Sequence, residues 1–371
     1  MTTEARSRNN SNRRWEIGGE FDRTAVPKGA TVPLPAPHRL FGLATHSVIA
    51  VWRSLQDSRG RRLHVPDFYC PEVATSWREA GIELATFRDD PRWPEPDWSS
   101  LAPVAGDLVL AVDFFGVRAG GPWIRWRRDH PDVLLIEDHS HDPVSIWARH
   151  STAEYAFASL RKTIPVSDGA LLWSPRGLPL PDAPVGVAAD GSSLKLAAMV
   201  LKGEYLAGSD IQPHAFRTLQ IRGERELLSD LPSPMASWNL PFVHSGLSLA
   251  WRQRRRQNVL GLTRSLGGAT VMRPMFEAWP RGHCPFNAIL LFRDAYSRDA
   301  CRTSLIANQI YPPIHWQQAT SADARVRDLA ARILTIPMDQ RYGPPDVKRV
   351  AHVLLTFDAG CRGRGRSHPR P

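Results

Sequence analysis

Cysteine is scarce in this chain of 371 residues, and long apolar runs are absent. The four cysteines lie far apart with no Cys-x-x-Cys pair, which argues against a disulfide framework and a cysteine zinc site. No window approaches the roughly 18 apolar residues that a membrane-spanning helix needs. The first residues contain no apolar stretch of signal-peptide length. We therefore expect a cytoplasmic protein without a membrane partner.

Lysine is also scarce, since only five of the 47 basic side chains are lysines. The formal net charge of +10 is spread along the chain, and its densest clusters, at 126–128 and 252–256, lie in segments of helical pattern. A solvated helix face explains such clusters, so we expect no nucleic-acid partner. The scarcity draws attention to each lysine in an apolar setting, because lysine forms an imine with a carbonyl and arginine does not.

Apolar residues make up 42% of the chain, including 13 tryptophans and 13 phenylalanines, which is enough for a large core. Strand and helix patterns alternate up to about residue 185, and this rhythm predicts an α/β fold with a mostly parallel central sheet. The predicted strands are 63–65, 82–87, 107–115, 133–136, 153–160 and 169–173, with helices around 48–55 and 71–80.

Helical patterns dominate the rest of the chain, at 192–205, 216–228, 247–266, 298–308, 322–332 and 345–355, around one strand at 288–292. We predict a large α/β domain over 15–240 and a small C-terminal α/β domain over 241–359. Residues 1–14 and 360–371 are polar and rich in Arg, Asn or Gly, so we predict that both ends are disordered.

Three polar features follow predicted strands or open a helix, where an open parallel sheet binds its ligands. Asp138 follows the strand at 133–136, and Ser159 and Lys162 follow the strand that begins near 153. The turn at 41–47 opens the first helix, and its free N–H groups suit a phosphate. Pyridoxal phosphate needs an amine for its Schiff base, a carboxylate for its ring nitrogen and an anion site for its phosphate. These residues supply all three.

The run from 45 to 174 resembles the fold-type-I pyridoxal-phosphate enzymes, and among them the DegT/DnrJ/EryC1/StrS aminotransferases. The matching segments are ATHSVIAVWRSL, VPDFYCPEVATSWREAGIELATF, IEDHSH and AFASLRKTIPVSDGA. The segment ILTIPMDQRYGPPDVKRVAHVL is similar to the closing strand and helix of that group. The resemblance implies a large domain with a small C-terminal subdomain, a homodimer and small-molecule substrates.

The resemblance also implies a role for each candidate residue. Lys162 would form the Schiff base and carry the proton between substrate carbons, and Asp138 would pair with the ring nitrogen. The implied phosphate ligands are Ser159 and the turn of Thr45, His46 and Ser47, and the implied ring-stacking side chain is Phe68 or Tyr69. By the same resemblance, His141 would lie near the cofactor's phenolic oxygen, where the family usually has glutamine. The lysine at 162 argues against the related dehydratases, which have histidine there.

Other interpretations stay open at this point. Lys162 is also compatible with a surface lysine, Asp138 with a turn cap, and Thr45 and Ser47 with a plain helix N-cap. Phe68 and Tyr69 are compatible with core packing. The run from Asp138 to Asp142 holds a His-x-His pair between carboxylates, which is typical of metal sites and suggests a metallohydrolase.

We therefore predict an aminotransferase that moves an amino group from an amino-acid donor to a keto acceptor, either a keto-sugar or a small biosynthetic intermediate. The alternatives are a lyase or other carbanion chemistry on the same cofactor, and a catalytically silent relative that binds a partner.

Overall fold

A computed structural model describes residues 13–55, 61–229 and 232–365. Most of the ends predicted to be disordered, 1–14 and 360–371, lie outside these ranges. The described strands are β1 Ile17–Gly18, β2 Thr31–Val32, β3 His38–Phe41, β4 Leu63–Pro66, β5 Leu84–Phe87, β6 Leu108–Val112, β7 Leu134–Asp138, β8 Tyr155–Ser159, β9 Ala170–Trp173, β10 Leu247–Ser248, β11 Met272–Pro274, β12 Ala288–Phe292, β13 Ile310–Tyr311 and β14 Ile333–Ile336.

Eleven α-helices are described between residues 44 and 365. They are α1 Ala44–Ser54, α2 Pro71–Glu79, α3 Gly121–Asp129, α4 Ile146–Arg149, α5 Asp190–Leu206, α6 Pro213–Ser229, α7 Leu240–Ser245, α8 Leu249–Ser265, α9 Ala295–Ala307, α10 Ala324–Arg332 and α11 Pro344–Gly365. In the described part of the chain, no helix is long and apolar enough to cross a membrane.

The central sheet has seven strands in the order β3-β9-β8-β7-β6-β4-β5. Strands β5, β4, β6, β7 and β8 pair in parallel, whereas β9 runs antiparallel to both β8 and β3. Strand β6 is buried along its whole length, as expected for a parallel strand covered on both faces. The predicted α/β fold with a mostly parallel sheet is confirmed.

A second, smaller sheet lies in the C-terminal part of the chain. Strands β11, β12 and β14 pair antiparallel and share a separate apolar core with α8, α9 and α11. Ile17 is fully buried in this second core, and β1 pairs in parallel with β13. The described N-terminal segment therefore packs against the C-terminal part, while the predicted domain bounds stay a prediction.

Helix α11 continues beyond its predicted end at Leu355 to Gly365. The buried carboxylate of Asp358 accepts hydrogen bonds from the backbone N–H groups of Thr270 (2.7 Å) and Val271 (2.8 Å). Arg362, one turn later, pairs with the same carboxylate at 2.5 Å. These contacts anchor the last turns of the helix, so the predicted end was wrong.

Candidate active site

Asp138 ends β7 and is buried at the carboxyl edge of the central sheet. Its Oδ1 accepts a hydrogen bond from the N–H of Ser140, and its Oδ2 accepts one from the hydroxyl of Tyr69, both at 2.8 Å. Burial raises the pKa of this carboxyl, and the two hydrogen-bond donors act against that rise. Among the described residues, no cation lies within salt-bridge distance of Asp138, although the charge of the neighbouring His139 also acts to lower its pKa.

Ser159 ends the neighbouring strand β8, and its N–H donates to the hydroxyl of Ser140 at 3.0 Å. Lys162 follows in a single 3₁₀ turn, Leu160–Lys162. The parallel pairing of β7 with β8 therefore brings the predicted carboxylate and the predicted lysine to one edge of the sheet, as strand polarity requires.

The amine of Lys162 is half-buried and has no hydrogen-bond or carboxylate partner in the described part of the chain. Burial, followed by the positive charge of Lys162, lowers the pKa of both His141 and His315. Burial, with the lysine charge second, brings the pKa of His141 to about 3. A free amine thus lies beside two neutral imidazoles.

His141 is held by the backbone of Phe115, whose N–H donates to its Nδ1 at 3.0 Å. Its ring stacks on Phe286 with the centroids 4.6 Å apart. Phe115 has a φ of 58°, a left-handed conformation that a phenylalanine rarely adopts and that is often found at functional sites. Because Nδ1 accepts a hydrogen bond, neutral His141 carries its proton on Nε2.

Phe68 and Tyr69 lie between β4 and α2 and contact Trp316, which reaches them from the C-terminal part. Ring centroids of Trp316 lie 5.7 Å from Phe68 and 5.9 Å from Tyr69. Burial, followed by the charge of Asp138, raises the pKa of Tyr69 well above its ordinary value, so its hydroxyl keeps its proton and donates. Which of the two rings would stack on a cofactor stays a prediction.

Thr45, His46 and Ser47 form the buried first turn of α1. No side chain caps this helix, and the Ser47 hydroxyl donates instead to the carbonyl of Ala44 at 2.8 Å. His46 Nδ1 accepts a hydrogen bond from the N–H of Ser233 at 3.3 Å. Burial, with the charge of Arg161 second, lowers the pKa of His46 to about 4. Its Nε2 is therefore a buried donor, and it has no partner among the described residues.

A cavity of about 520 Å³ opens beside Lys162. Its wall includes residues from the N-terminal segment, α5, α6, α9 and the loops around β13 and β14. Lys162 is the one predicted site residue in this wall. Residues that the sequence did not single out also line it: Asn287, Arg302 and His315.

The two histidines of the His-x-His pair have separate partners. His139 Nε2 hydrogen-bonds Glu137 at 2.8 Å, whereas His141 binds the Phe115 backbone. Burial opposes a charge on His139, but Asp113 and Glu137 outweigh it and raise its pKa to about 9. The described residues hold no group of three metal-binding side chains, so the metallohydrolase alternative gains no support.

The fold matches solved fold-type-I pyridoxal-phosphate aminotransferases over most of the chain, and structures described as a DegT DnrJ EryC1 StrS aminotransferase and as a sugar aminotransferase are among them. The chain is similar to the aminotransferase TlmJ from Streptoalloteichus hindustanus, with 16% identity, a TM-score of 0.57, and coverage of 88% of this chain and 86% of that one. A DegT DnrJ EryC1 StrS aminotransferase from Brucella abortus matches with 14% identity and a TM-score of 0.54, covering 86% of both chains.

The pyridoxal-phosphate form of Spr1654 from Streptococcus pneumoniae matches with 12% identity and a TM-score of 0.60, covering 93% of this chain and 99% of that one. No protein-family model matches the sequence, and a search of curated proteins found no match. The resemblance inferred from the sequence is thus confirmed at the level of the fold.

Proposed function

We propose that this chain binds pyridoxal phosphate and transfers an amino group from an amino-acid donor to a keto acceptor. The observation that carries the proposal is the unpaired amine of Lys162, which faces a cavity from the same sheet edge as the Asp138 carboxylate. Fully buried lysines are almost always paired, and Lys162 is half-buried without a partner among the described residues. An amine kept free of acids beside neutral histidines suits imine formation.

The residues fit the cofactor in three respects. Asp138 has spare lone pairs and no salt-bridge partner among the described residues, so it suits the N–H of a protonated ring nitrogen. The uncapped first turn of α1 and the unpartnered Nε2 donor of His46 suit a phosphate. Ser159 ends the strand that leads to Lys162 and is the further phosphate ligand that we propose. His141 is neutral with Nε2 as a donor, which suits the phenolic oxygen.

Pyridoxal phosphate supplies an electron-withdrawing ring that stabilises negative charge on the substrate carbon bearing the amino group. Lys162 Nζ would accept the proton from that carbon and later donate it back. Asp138 keeps the ring nitrogen positive, and Tyr69 and Ser140 hold the carboxylate in place. The burial of Phe68 and Tyr69 keeps water from that side of the site.

The acceptor that we propose is a keto-sugar or a small biosynthetic intermediate, and the working unit is a homodimer. A lyase reaction is the second candidate, because the same residues stabilise the same carbanion whichever bond is broken. A partner-binding protein without activity is a further candidate, but it leaves the free amine of Lys162 without a role.

A screen of donor amino acids tests the proposal. The purified protein is mixed with pyridoxal phosphate and each donor in turn, and keto-acid release is measured together with cofactor absorbance. We expect one or a few donors to yield one keto acid per cofactor without an acceptor, and turnover when an acceptor is present. Lys162→Ala should abolish release, whereas Lys28→Ala, at an exposed position, should not. Release of ammonia with the keto acid would favour the lyase, and no reaction with any donor would contradict both.

A further inference from the structure

The turn that carries Lys162 ends in a buried carbonyl group. Inside the turn, the N–H groups of Thr163 and Ile164 donate to the carbonyl of Leu160, at 3.0 and 2.9 Å. Thr163 itself is 3% exposed, and a buried backbone acceptor needs a donor from another part of the chain. The donors that reach the carbonyl of Thr163 therefore decide how firmly the lysine turn is held.

Two side chains of the C-terminal part supply those donors. Arg255 lies on α8, and its Nη2 donates to the carbonyl of Thr163 at 3.3 Å. Gln340 follows β14, and its Nε2 donates to the same oxygen at 3.0 Å. Arg255 Nη2 also donates to Oε1 of Gln340 at 2.5 Å, which fixes the orientation of the amide. We call these two side chains the Thr163 clamp.

Arg255 is buried without an acid as its partner. It is 4% exposed, and no carboxylate lies within salt-bridge distance of its guanidinium in the described ranges. Asp339, the residue before Gln340, pairs with Arg341 at 2.8 Å. Burying a charged side chain is costly, and an ion pair usually offsets that cost. The acceptors that Arg255 Nη2 has instead are Gln340 and Thr163, which places the role of this cation at the lysine turn.

We propose that Arg255 and Gln340 are positioning residues for Lys162. Thr163 directly follows Lys162, so a shift of its backbone changes the point from which the amine enters the cavity. A reacting group must be held within a fraction of an ångström, which hydrogen bonds around it achieve. Both side chains come from the C-terminal part, so the clamp also fixes that part relative to the lysine. This inference deepens the proposed function and rests on it.

The variant Gln340→Glu separates positioning from stability. Its carboxylate keeps an acceptor for Arg255 and gives this cation the acid that it lacks. The same change removes the donor to the carbonyl of Thr163, which then faces an oxygen. We therefore expect a looser lysine turn in a protein whose melting temperature is higher than that of Arg255→Met.

Three substitutions on α8 complete the set. Arg255→Met keeps most of the length of the side chain and removes the donors, so the lysine turn should loosen and the melting temperature should fall. Arg255→Lys should lie between Arg255→Met and the wild type, since it keeps the charge and loses the planar fork. Arg254→Met, at an exposed position one residue earlier, is the matched control and should behave like the wild type.

Two measurements on the full-length protein report the position of the turn. Amide hydrogen exchange, measured by mass spectrometry without added cofactor, should rise about tenfold at 160–164 in Arg255→Met and Gln340→Glu, while β6 and β7 keep their protection. Circular dichroism in the cofactor's absorbance band, after pyridoxal phosphate is added, reports whether the bound cofactor has one fixed orientation. The signal per bound cofactor should fall about twofold or more in both variants, because the lysine that holds the cofactor is no longer fixed.

The positioning role is overturned if exchange at 160–164 is unchanged in both variants, if it rises equally throughout the central sheet, or if the dichroism per bound cofactor stays at the wild-type level. Cofactor absorbance of the wild type separates the two proposals. A wild type that takes up cofactor, with variants that match it in both measurements, contradicts the positioning role alone. Faster exchange at 160–164 in the variants of a protein that takes up no cofactor contradicts the proposed function alone.

Discussion

Burial and charge oppose each other at Asp138. The carboxyl lies in the core, where its pKa rises, yet the N–H of Ser140 and the hydroxyl of Tyr69 stabilise its charged form. A protonated ring nitrogen would supply the direct ion-pair partner that Asp138 lacks among the described residues. The proposed pairing of Asp138 with the ring nitrogen thus depends on the charge of the carboxylate and only slightly on the shape of the side chain.

Asp138→Asn should keep the shape but slow the exchange of the donor's α-hydrogen with solvent about 100- to 1000-fold, a loss typical of a removed electrostatic contact. Proton NMR in deuterated buffer measures this rate. Asp142→Asn is the matched control, because Asp142 pairs with Arg252 and accepts from the N–H of Cys284. It should lower the melting temperature but not the exchange rate per folded molecule. Equal slowing in both variants would remove Asp138 from the site.

His46 links stability to pH. Its pKa is about 4 in the folded protein and about 6.5 when unfolded, so the unfolded chain binds the proton more readily. The resulting stability is present above pH 6.5 and is lost as the pH falls toward 4. Between pH 7 and pH 5, this histidine alone should cost about 2 kcal/mol of unfolding free energy.

Urea denaturation at the two pH values measures that loss. Between pH 7 and pH 5, the wild type should lose about 2 kcal/mol more unfolding free energy than His46→Gln does. His352→Gln, at an exposed position on α11, should show the wild-type fall. A wild-type fall in His46→Gln would mean that the imidazole is not kept neutral by the fold.

At the scale of elements, strand polarity made the candidate site predictable. Polar residues directly after apolar runs marked Asp138 and Lys162, because parallel strands end at one edge. Strand ends were less predictable. The apolar run 107–115 predicts one strand, but β6 ends at Val112, since Phe115 turns back to donate to His141 and takes a positive φ. That turn depends on His141, which is 26 residues away in the chain. A local sequence pattern therefore does not predict it.

A second of the five lysines, Lys202, is buried, and it holds the N-terminal segment in place. The amine of Lys202 is buried and binds the Glu16 carboxylate at 2.9 Å and the Gly18 and Glu20 carbonyls at 3.1 and 2.7 Å. These bonds fasten the segment to α5, and Gly19, Glu20 and Phe21 form part of the cavity wall. Lys202 therefore has a structural role, unlike Lys162.

Lys202→Met should release this segment, because it leaves buried acceptors without a donor. We expect amide hydrogen exchange in residues 16–21 to rise about tenfold, while β6 and β7 keep their protection. Lys348→Met, at an exposed position, is the matched control. Unchanged exchange in 16–21, or an equal rise throughout the central sheet, would contradict the assigned role.

At the scale of the whole molecule, the cavity joins parts that are distant in the chain. Lys162 comes from the central sheet, Glu20 from the N-terminal segment and Arg302 from α9. The sequence predicted the first because it follows a strong strand. It did not predict Arg302, Asn287 or His315, because no motif surrounds them in the sequence. They reach the cavity wall only when the C-terminal part packs against the sheet.

Borohydride reduction of the pyridoxal-phosphate-treated protein, followed by peptide mapping, tests whether Lys162 forms the imine. We expect one labelled lysine, Lys162, and loss of the cofactor's imine absorbance on reduction. Lys162→Ala should carry no label, and Lys28→Ala should still be labelled at Lys162. Label on Lys195 or Lys202, or no stable label under conditions where the protein is folded, would show that Lys162 does not hold the cofactor.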